Sequence, residues 1–358
     1  MPADTCDDTT RDRKRPRTYS NADEHRKIFT NHPTLYFEDG NVILKCGWTL
    51  FCVHRSLLSK HSEVFRGLFT PAGSAEVKPQ EFFRGCLFIA LDDNSDDMES
   101  LLDIIYDGLQ ADFPTLNAEN FPTMAALLRM STKYKLNRPR GAMLELLRSE
   151  WPSTLPKYDA KAALAPRCVN PPAEESFSTK DLGIHPAGVI SLLRECDYDS
   201  PDLLVPLFYS LSTCIFKFSL PPTGHNISAL SPADTERFII GLNKLRSLHA
   251  ANSQCPVYAV IHPSPDKDSR QSILCQYELL RYWHNTVGPQ LLDMKDQMCH
   301  PIDDWGKVSQ TAMADGIGGN VGMAGESLCS SCKVKVLNHI VLTRQKIWNA
   351  LPELFGFN

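Results

Sequence analysis

Cys329 and Cys332 stand three residues apart, the spacing at which two thiolates close on one metal ion, and Cys299-His300 lies about thirty residues upstream as a second pair. A tetrahedral zinc takes four soft or borderline ligands, and Cys299, His300, Cys329 and Cys332 supply them. The competing and preferred reading is an ordinary reduced pair, because a Cys-x-x-Cys without a second matching pair is a modest signal. A structural zinc ranks second and a redox couple last. No cofactor is therefore expected, with zinc on those four residues as the alternative.

His54, followed by Arg55 and Ser56, has the composition of acid-base machinery. A catalytic histidine also needs a nucleophile and an orienting group in reach. The preferred role for His54 is structural: it closes a strand and hydrogen-bonds into the helix that follows. Gly316-Ile317-Gly318-Gly319-Asn320 lacks the preceding strand and the following Lys-Ser or Lys-Thr of a phosphate cradle, and a Gly-x-Ser-x-Gly elbow is absent. The pairs Asp92-Asp93 and Asp303-Asp304 fall in loops or helix starts, where acidic residues are favoured electrostatically. Arg344, Trp348 and Leu351 form a basic and aromatic stripe, read as the packing face of a last helix in preference to a partner contact. None of these groupings is expected to make the chain an enzyme.

The elements that must position these residues begin with the gross balance of the chain. Its 358 residues are 42% hydrophobic and 22% charged, with a formal net charge of -5, which fits a globular protein of two domains and offers no positive field for a nucleic-acid backbone. No run reaches the roughly 18 apolar residues of a membrane span, and the first 30 residues carry no apolar leader, so a cytoplasmic or nuclear location is expected. The twelve cysteines are scattered and read as reduced, buried thiols.

Residues 1–30 read as a disordered tail whose basic cluster, Arg11, Arg13, Lys14, Arg15 and Arg17, is either a nuclear-import signal or, in the preferred reading, a solvated segment. Val42–Cys46 and Thr49–His54 predict a hairpin about Gly47-Trp48, with a type II′ turn. Leu57, His61, Val64, Phe65 and Leu68 then recur at helical spacing, the stripe of a helix packed by one face. Pro71–Pro79 reads as a loop and Cys86–Leu91 as a third strand. Asp96 and Glu99 have the spacing of a capping box ahead of a helix that Gly108 ends. Helices follow from Pro122 to Tyr134 and from Pro139 to Arg148.

Residues 152–180 have the composition of a linker, and residues 181–358 are helical in pattern. Stripes run through Val189, Leu192, Leu193 and Cys196, then through Leu204, Leu207, Phe208 and Leu211 after Ser200-Pro201. A third, through Phe238, Ile239, Leu242, Leu245 and Leu248, follows the cap Ser231-Pro232. Ile273–Trp283 and Val334–Trp348 read as longer helices, the second with Leu337, Val341, Arg344 and Trp348 on a common face, and Gly316–Gly325 as a loop between them.

The order hairpin, helix, strand, helix, two helices resembles the BTB/POZ fold. Asp39, Phe51-Cys52-Val53-His54-Arg55, Leu58, Ser62, Phe65 and Leu68-Phe69 resemble that family's signature, with Tyr106 in the following "IYDG". The wording "FCVHRSLLSKHSEVFRGLF" and "LLRMSTKYKL" is similar to BTB proteins of mushroom-forming (basidiomycete) fungi. The chain departs from the pattern where Gly40-Asn41 separates Asp39 from Val42, which the family joins directly. The resemblance covers residues 31–151 firmly and the C-terminal half more loosely; it implies an α+β fold, a small sheet of three or more strands capped by helices, ahead of the region that the pattern reads as mainly helical. It also implies association with itself or another BTB protein, with a cullin as a further partner that would make the chain a ubiquitin-ligase adaptor. A nuclear transcription- or chromatin-associated regulator is the alternative. Neither a membrane nor nucleic acid is an expected partner.

Overall fold

The structure, a computed structural model, describes residues 29–70, 81–108, 116–164, 184–214, 227–261, 270–292, 299–314 and 328–357. The basic cluster at 11–17 and the Gly316–Gly325 segment lie outside the described residues. The chain divides into two compact units, residues 1–55 with 71–95 and residues 56–70 with 96–358.

The first unit is a mixed sheet of five strands, β1 (Thr30–Tyr36), β2 (Val42–Cys46), β3 (Thr49–Val53), β4 (Glu81–Phe83) and β5 (Cys86–Leu91), in the order β1-β3-β2-β5-β4. The expected hairpin is β2 and β3, antiparallel with Val42 opposite Val53 and Cys46 opposite Thr49. Gly47 takes φ +57° at the first turn position, which a residue with a Cβ resists. The third expected strand, β5, runs parallel to β2. Val42, Ile43, Leu44 and Cys46 are all buried, so both faces of β2 are covered and the sequence reads as an apolar run without alternation.

Two strands escaped the sequence pattern. β1 is polar and contains Pro33, whose missing N–H falls where the register with β3 slips between Asn31 and Tyr36. β4 is only three residues long and is fixed by its turn, with Arg84 and Gly85 both at positive φ.

In the second unit the single helix expected over Leu57–Leu68 is two, α1 (Arg55–His61) and α2 (Glu63–Phe69), broken at Ser62. The expected face is displaced by one residue: Leu58, Ser62, Phe65 and Phe69 are buried, whereas His61 and Leu68 are exposed. Spacing fixes the period of a stripe but not its phase, and the phase here is set by a buried polar residue. The Ser62 hydroxyl accepts from the Phe65 amide at 3.0 Å, capping α2, and donates to the Tyr134 carbonyl at 2.5 Å.

Next comes α3 (Ser95–Asp107), which starts one residue before Asp96, so that aspartate sits in the first turn instead of capping it. Gly108, at φ +79°, follows its last residue. Then come α4 (Phe121–Lys133), α5 (Asn137–Glu150), α6 (Leu155–Leu164), α7 (Pro186–Glu195), α8 (Pro201–Ser212), α9 (Pro232–Asn252) and α10 (Val257–Val260). α11 (Arg270–Tyr282) passes through a π-helical turn at Trp283–Val287 into α12 (Gly288–Leu291). α13 (Pro301–Ala314) and α14 (Ser330–Leu354) complete the unit.

One apolar core runs through this unit from Met124 to Phe355. Ion pairs join its parts: Arg129 to Glu195 at 2.7 Å, and Arg148 to Asp202 at 2.8 Å. Part of the segment read as a linker is the helix α6. It is held by the Tyr158 hydroxyl donating to Asp303 at 2.9 Å and by Arg344 donating twice to Asp159, at 2.8 and 2.5 Å. Its prolines and lysines masked a helix that tertiary packing stabilises.

The stripe of Arg344, Trp348 and Leu351 packs as expected, with Trp348 and Leu351 buried and Arg344 also donating to the Ile302 carbonyl. The rest of the α14 face is displaced from the expected one: Val336, Ile340 and Ile347 are buried and Val341 is exposed. After α14 the Phe357 amide donates to the Pro352 carbonyl and the Gly356 amide to Glu353, with Gly356 at φ +70°. This Schellman arrangement turns Phe355 inward against Phe208.

Candidate functional site

The residues of the family signature fall into two groups. Around the end of β3, Asp39 follows β1 and meets His54, Oδ2 to Nε2, at 3.2 Å, and the His54 ring lies 5.3 Å from that of Phe37. The first amide of the next helix, that of Arg55, donates to the Asn41 side chain at 2.8 Å. Asn41 thus supplies a bond at the junction that the sequence reading places at His54. The two residues inserted between Asp39 and Val42 each have a physical use. Asn41 caps α1, and Gly40 passes so close to β3 that a Cβ there would stand 2.6 Å from the Cys52 sulfur and 2.9 Å from the Cys52 main chain. Phe51 is buried and stacks on His32 at 4.9 Å.

In the helical unit, Leu58 is buried and Phe65 lies against Tyr134, ring centroids 4.3 Å apart and nearly parallel. Tyr106 is half-buried. Among the signature residues, Asp39, Arg55 and Leu68 are exposed. Further exposed apolar side chains lie at the sheet's margins. Trp48 is at the β2–β3 turn, 49% exposed, and Phe82 is on the edge strand β4, 67% exposed. Within the described residues β1 and β4 each pair on one side only, leaving main-chain groups on their outer edges.

The four residues read as a metal set divide. Cys329 and Cys332 come together at the start of α14, and the third sulfur beside them belongs to Cys275 of α11; neither Cys299 nor His300 is part of that cluster. The Cys299 thiol is pushed up to about 11, chiefly by burial, and the His300 Nδ1 lies 3.9 Å from Asp303. Cys275 escaped the sequence reading because nothing in its own vicinity marks it as a ligand.

A cavity of about 400 Å³ lies among α6, α7 and α8, with Trp151, Tyr158, Lys161, His185, Tyr209 and Trp348 in its lining. Burial, reinforced by the negative charge of Asp303, pushes both phenols upward, so Tyr158 and Tyr209 act as neutral hydrogen-bonding groups near pH 7.

A mixed sheet whose two edges are unpaired among the described residues, carrying aromatic side chains at its margins and adjoined in sequence by short capped helices, suits a protein-interaction module. Residues 36–149 match the family model of the BTB/POZ domain, and the chain carries that domain. Such domains are in general interaction modules, not enzymes, and associate with themselves or with other BTB domains. The family match runs from the last residue of β1 through β2–β5 and the helices to α5. No curated protein and no solved structure matches the chain. Among the described residues no helix is long and apolar enough to cross a membrane.

Proposed function

We propose that this chain is an adaptor that associates through its BTB domain, residues 31–151, with a second copy or another BTB protein, and presents the helical region 181–358 to a further partner. The observation that carries the reading is the BTB match over residues 36–149, beside a sheet whose edge strands β1 and β4 pair on one side only among the described residues. Edge strands accept a further strand by main-chain hydrogen bonds, while the side chains beside them set the choice of partner. Helices α4 and α5 share one apolar core with α7 and α8, which supports a helical region carried as a fixed extension of the domain's own helices.

The finer reading is recruitment of a cullin to build a ubiquitin ligase. The nuclear regulator is the second reading, and the basic cluster of Arg11 to Arg17 is the feature that favours it. Light scattering on the full chain, coupled to size exclusion, tests the adaptor role: a mass of twice 40.1 kDa is expected. A strict monomer that also fails to bind a cullin N-terminal repeat or another BTB domain overturns it. Deleting residues 11–17 and imaging the tagged protein tests the nuclear reading, since a distribution unchanged by the deletion removes its support.

A further inference from the structure

The Sγ atoms of Cys275, Cys329 and Cys332 all lie within 4.8 Å of one another. Two of these thiols neighbour one another in sequence. The third arrives from another helix, 54 residues earlier, and nothing in a Cys-x-x-Cys redox couple requires it. Three sulfurs bound to one zinc ion at about 2.3 Å stand about 3.8 to 4.0 Å apart, so the cluster is already near the size of a coordination shell.

Hydrogen bonds and a helix terminus favour thiolate at Cys329. Cys275 and Cys332 are fully buried and Cys329 half-buried, so thiolates in this cluster would need a cation beside them to offset the lost hydration. The Cys275 sulfur accepts from the Gln271 side-chain amide at 3.4 Å and from the Cys329 amide at 3.5 Å. Cys329 is the N-cap of α14, where the helix presents its partial positive charge. Burial is the largest single influence on the Cys329 thiol and acts upward. It is outweighed by hydrogen bonds from the Cys332 amide and thiol, from Cys275 and from the Ser331 amide, and the thiol falls below its ordinary value.

We propose that Cys275, Cys329 and Cys332 bind one zinc ion as three thiolates, with water in the fourth position, clamping α11 to the start of α14. Zinc is the ion of choice because its two positive charges leave three thiolates with a residual charge of only about -1 beside a helix N-terminus, whereas a monovalent soft ion leaves about -2. Loading releases the thiol protons to solvent and involves no change of oxidation state. The site uses neither the sheet edges nor the signature residues, so it stands or falls independently of the adaptor reading.

The test uses the full chain, reduced and loaded anaerobically with zinc chloride, then desalted and measured for metal by mass spectrometry. About one zinc per chain is expected, and cobalt in its place should give the intense near-ultraviolet thiolate-to-metal absorption of a tetrahedral site. Cys275→Ser, Cys329→Ser and Cys332→Ser should each lower zinc retention at least about tenfold, whereas Cys299→Ser should keep it. A second readout needs no variant: zinc should protect the peptides bearing residues 275, 329 and 332 from alkylation, and a chelator should release all three together. Zinc-free wild-type protein, retention undiminished by Cys275→Ser, or alkylation of residue 275 unaffected by zinc overturns the proposal.

Discussion

Ser62 offers the sharpest test of how this family signature works, because its hydroxyl makes two bonds and its chemistry makes none. The side chain is 1% exposed, accepts from the Phe65 amide at 3.0 Å and donates to the Tyr134 carbonyl at 2.5 Å. In Ser62→Ala the loss of the cap costs about 1 kcal/mol, and withdrawing the donor from a buried carbonyl costs about 1 to 3 kcal/mol more. A total of about 2 to 4 kcal/mol follows, large against the about 5 to 15 kcal/mol that holds a domain folded. Urea denaturation followed by circular dichroism should show a lowered midpoint at unchanged slope, and the Phe65 amide should exchange its hydrogen faster than in the wild type. Ser100→Ala is the control: that hydroxyl also donates to a main-chain carbonyl, Asp96 at 3.0 Å, but in an exposed position, and its loss should stay within about 0.5 kcal/mol. If Ser62→Ala lies within that same small range, the double bond of Ser62 does not contribute as argued, and the phase of the α1–α2 stripe needs another cause.

Gly241→Ala places a Cβ 2.1 Å from the Phe355 ring, which stacks on Phe208, so the ring must leave its seat; a loss of about 1 to 3 kcal/mol should appear in denaturant midpoints. Burial raises Asp304 from 3.8 to about 6, against the pull of Lys307 and His300. The folded chain therefore holds that proton more tightly than the unfolded one, and the stability this contributes is full below pH about 4 and lost as pH rises through about 6. Asp304→Asn should remove that slope and stabilise the protein near neutral pH by about 1 to 3 kcal/mol, read as the difference between the urea titrations of variant and wild type across pH about 4 to 7. Charging the sheet margin by Trp48→Glu, at a side chain 49% exposed, should weaken self-association at least about tenfold in light scattering while shifting stability by less than about 0.5 kcal/mol.

The strands β2 and β5 were legible because their core residues are continuous apolar runs bounded by turn residues, and the cap Ser231-Pro232 was legible because its signal is local; its serine indeed accepts from the Asp234 amide. What stayed hidden depends on distant partners. β1 is a strand only because β3 lies beside it, and α6 is a helix fixed by Asp303 and Arg344, 145 and 185 residues away from their partners in sequence. The phase of α1 and α2 turned on a buried serine, which a polarity pattern assigns to the surface. Cys329 and Cys332 declared themselves by spacing, but their third neighbour comes from α11, a relation no window of sequence contains. Cys299 and His300 were drawn in by residue type alone.

The signature that identifies the domain is for the most part not the surface that can recognise anything. Phe51, Leu58, Ser62 and Phe65 are buried, and the described bonds and ring contacts account for the type of each aromatic or polar member: Phe51 against His32, Ser62 between two backbone groups, Phe65 against Tyr134. Residues so placed specify the fold, and a chain that keeps them keeps the fold whatever its partner. Choice of partner must then rest on what the fold leaves in solvent: Asp39, Arg55 and Leu68 within the signature, and Trp48, Phe82 and the outer strand edges beside it. Exposed positions are less constrained by the core than the buried set, so they can differ between chains that share it. A shared signature therefore implies association in general, and the identity of the partner is written in the exposed residues.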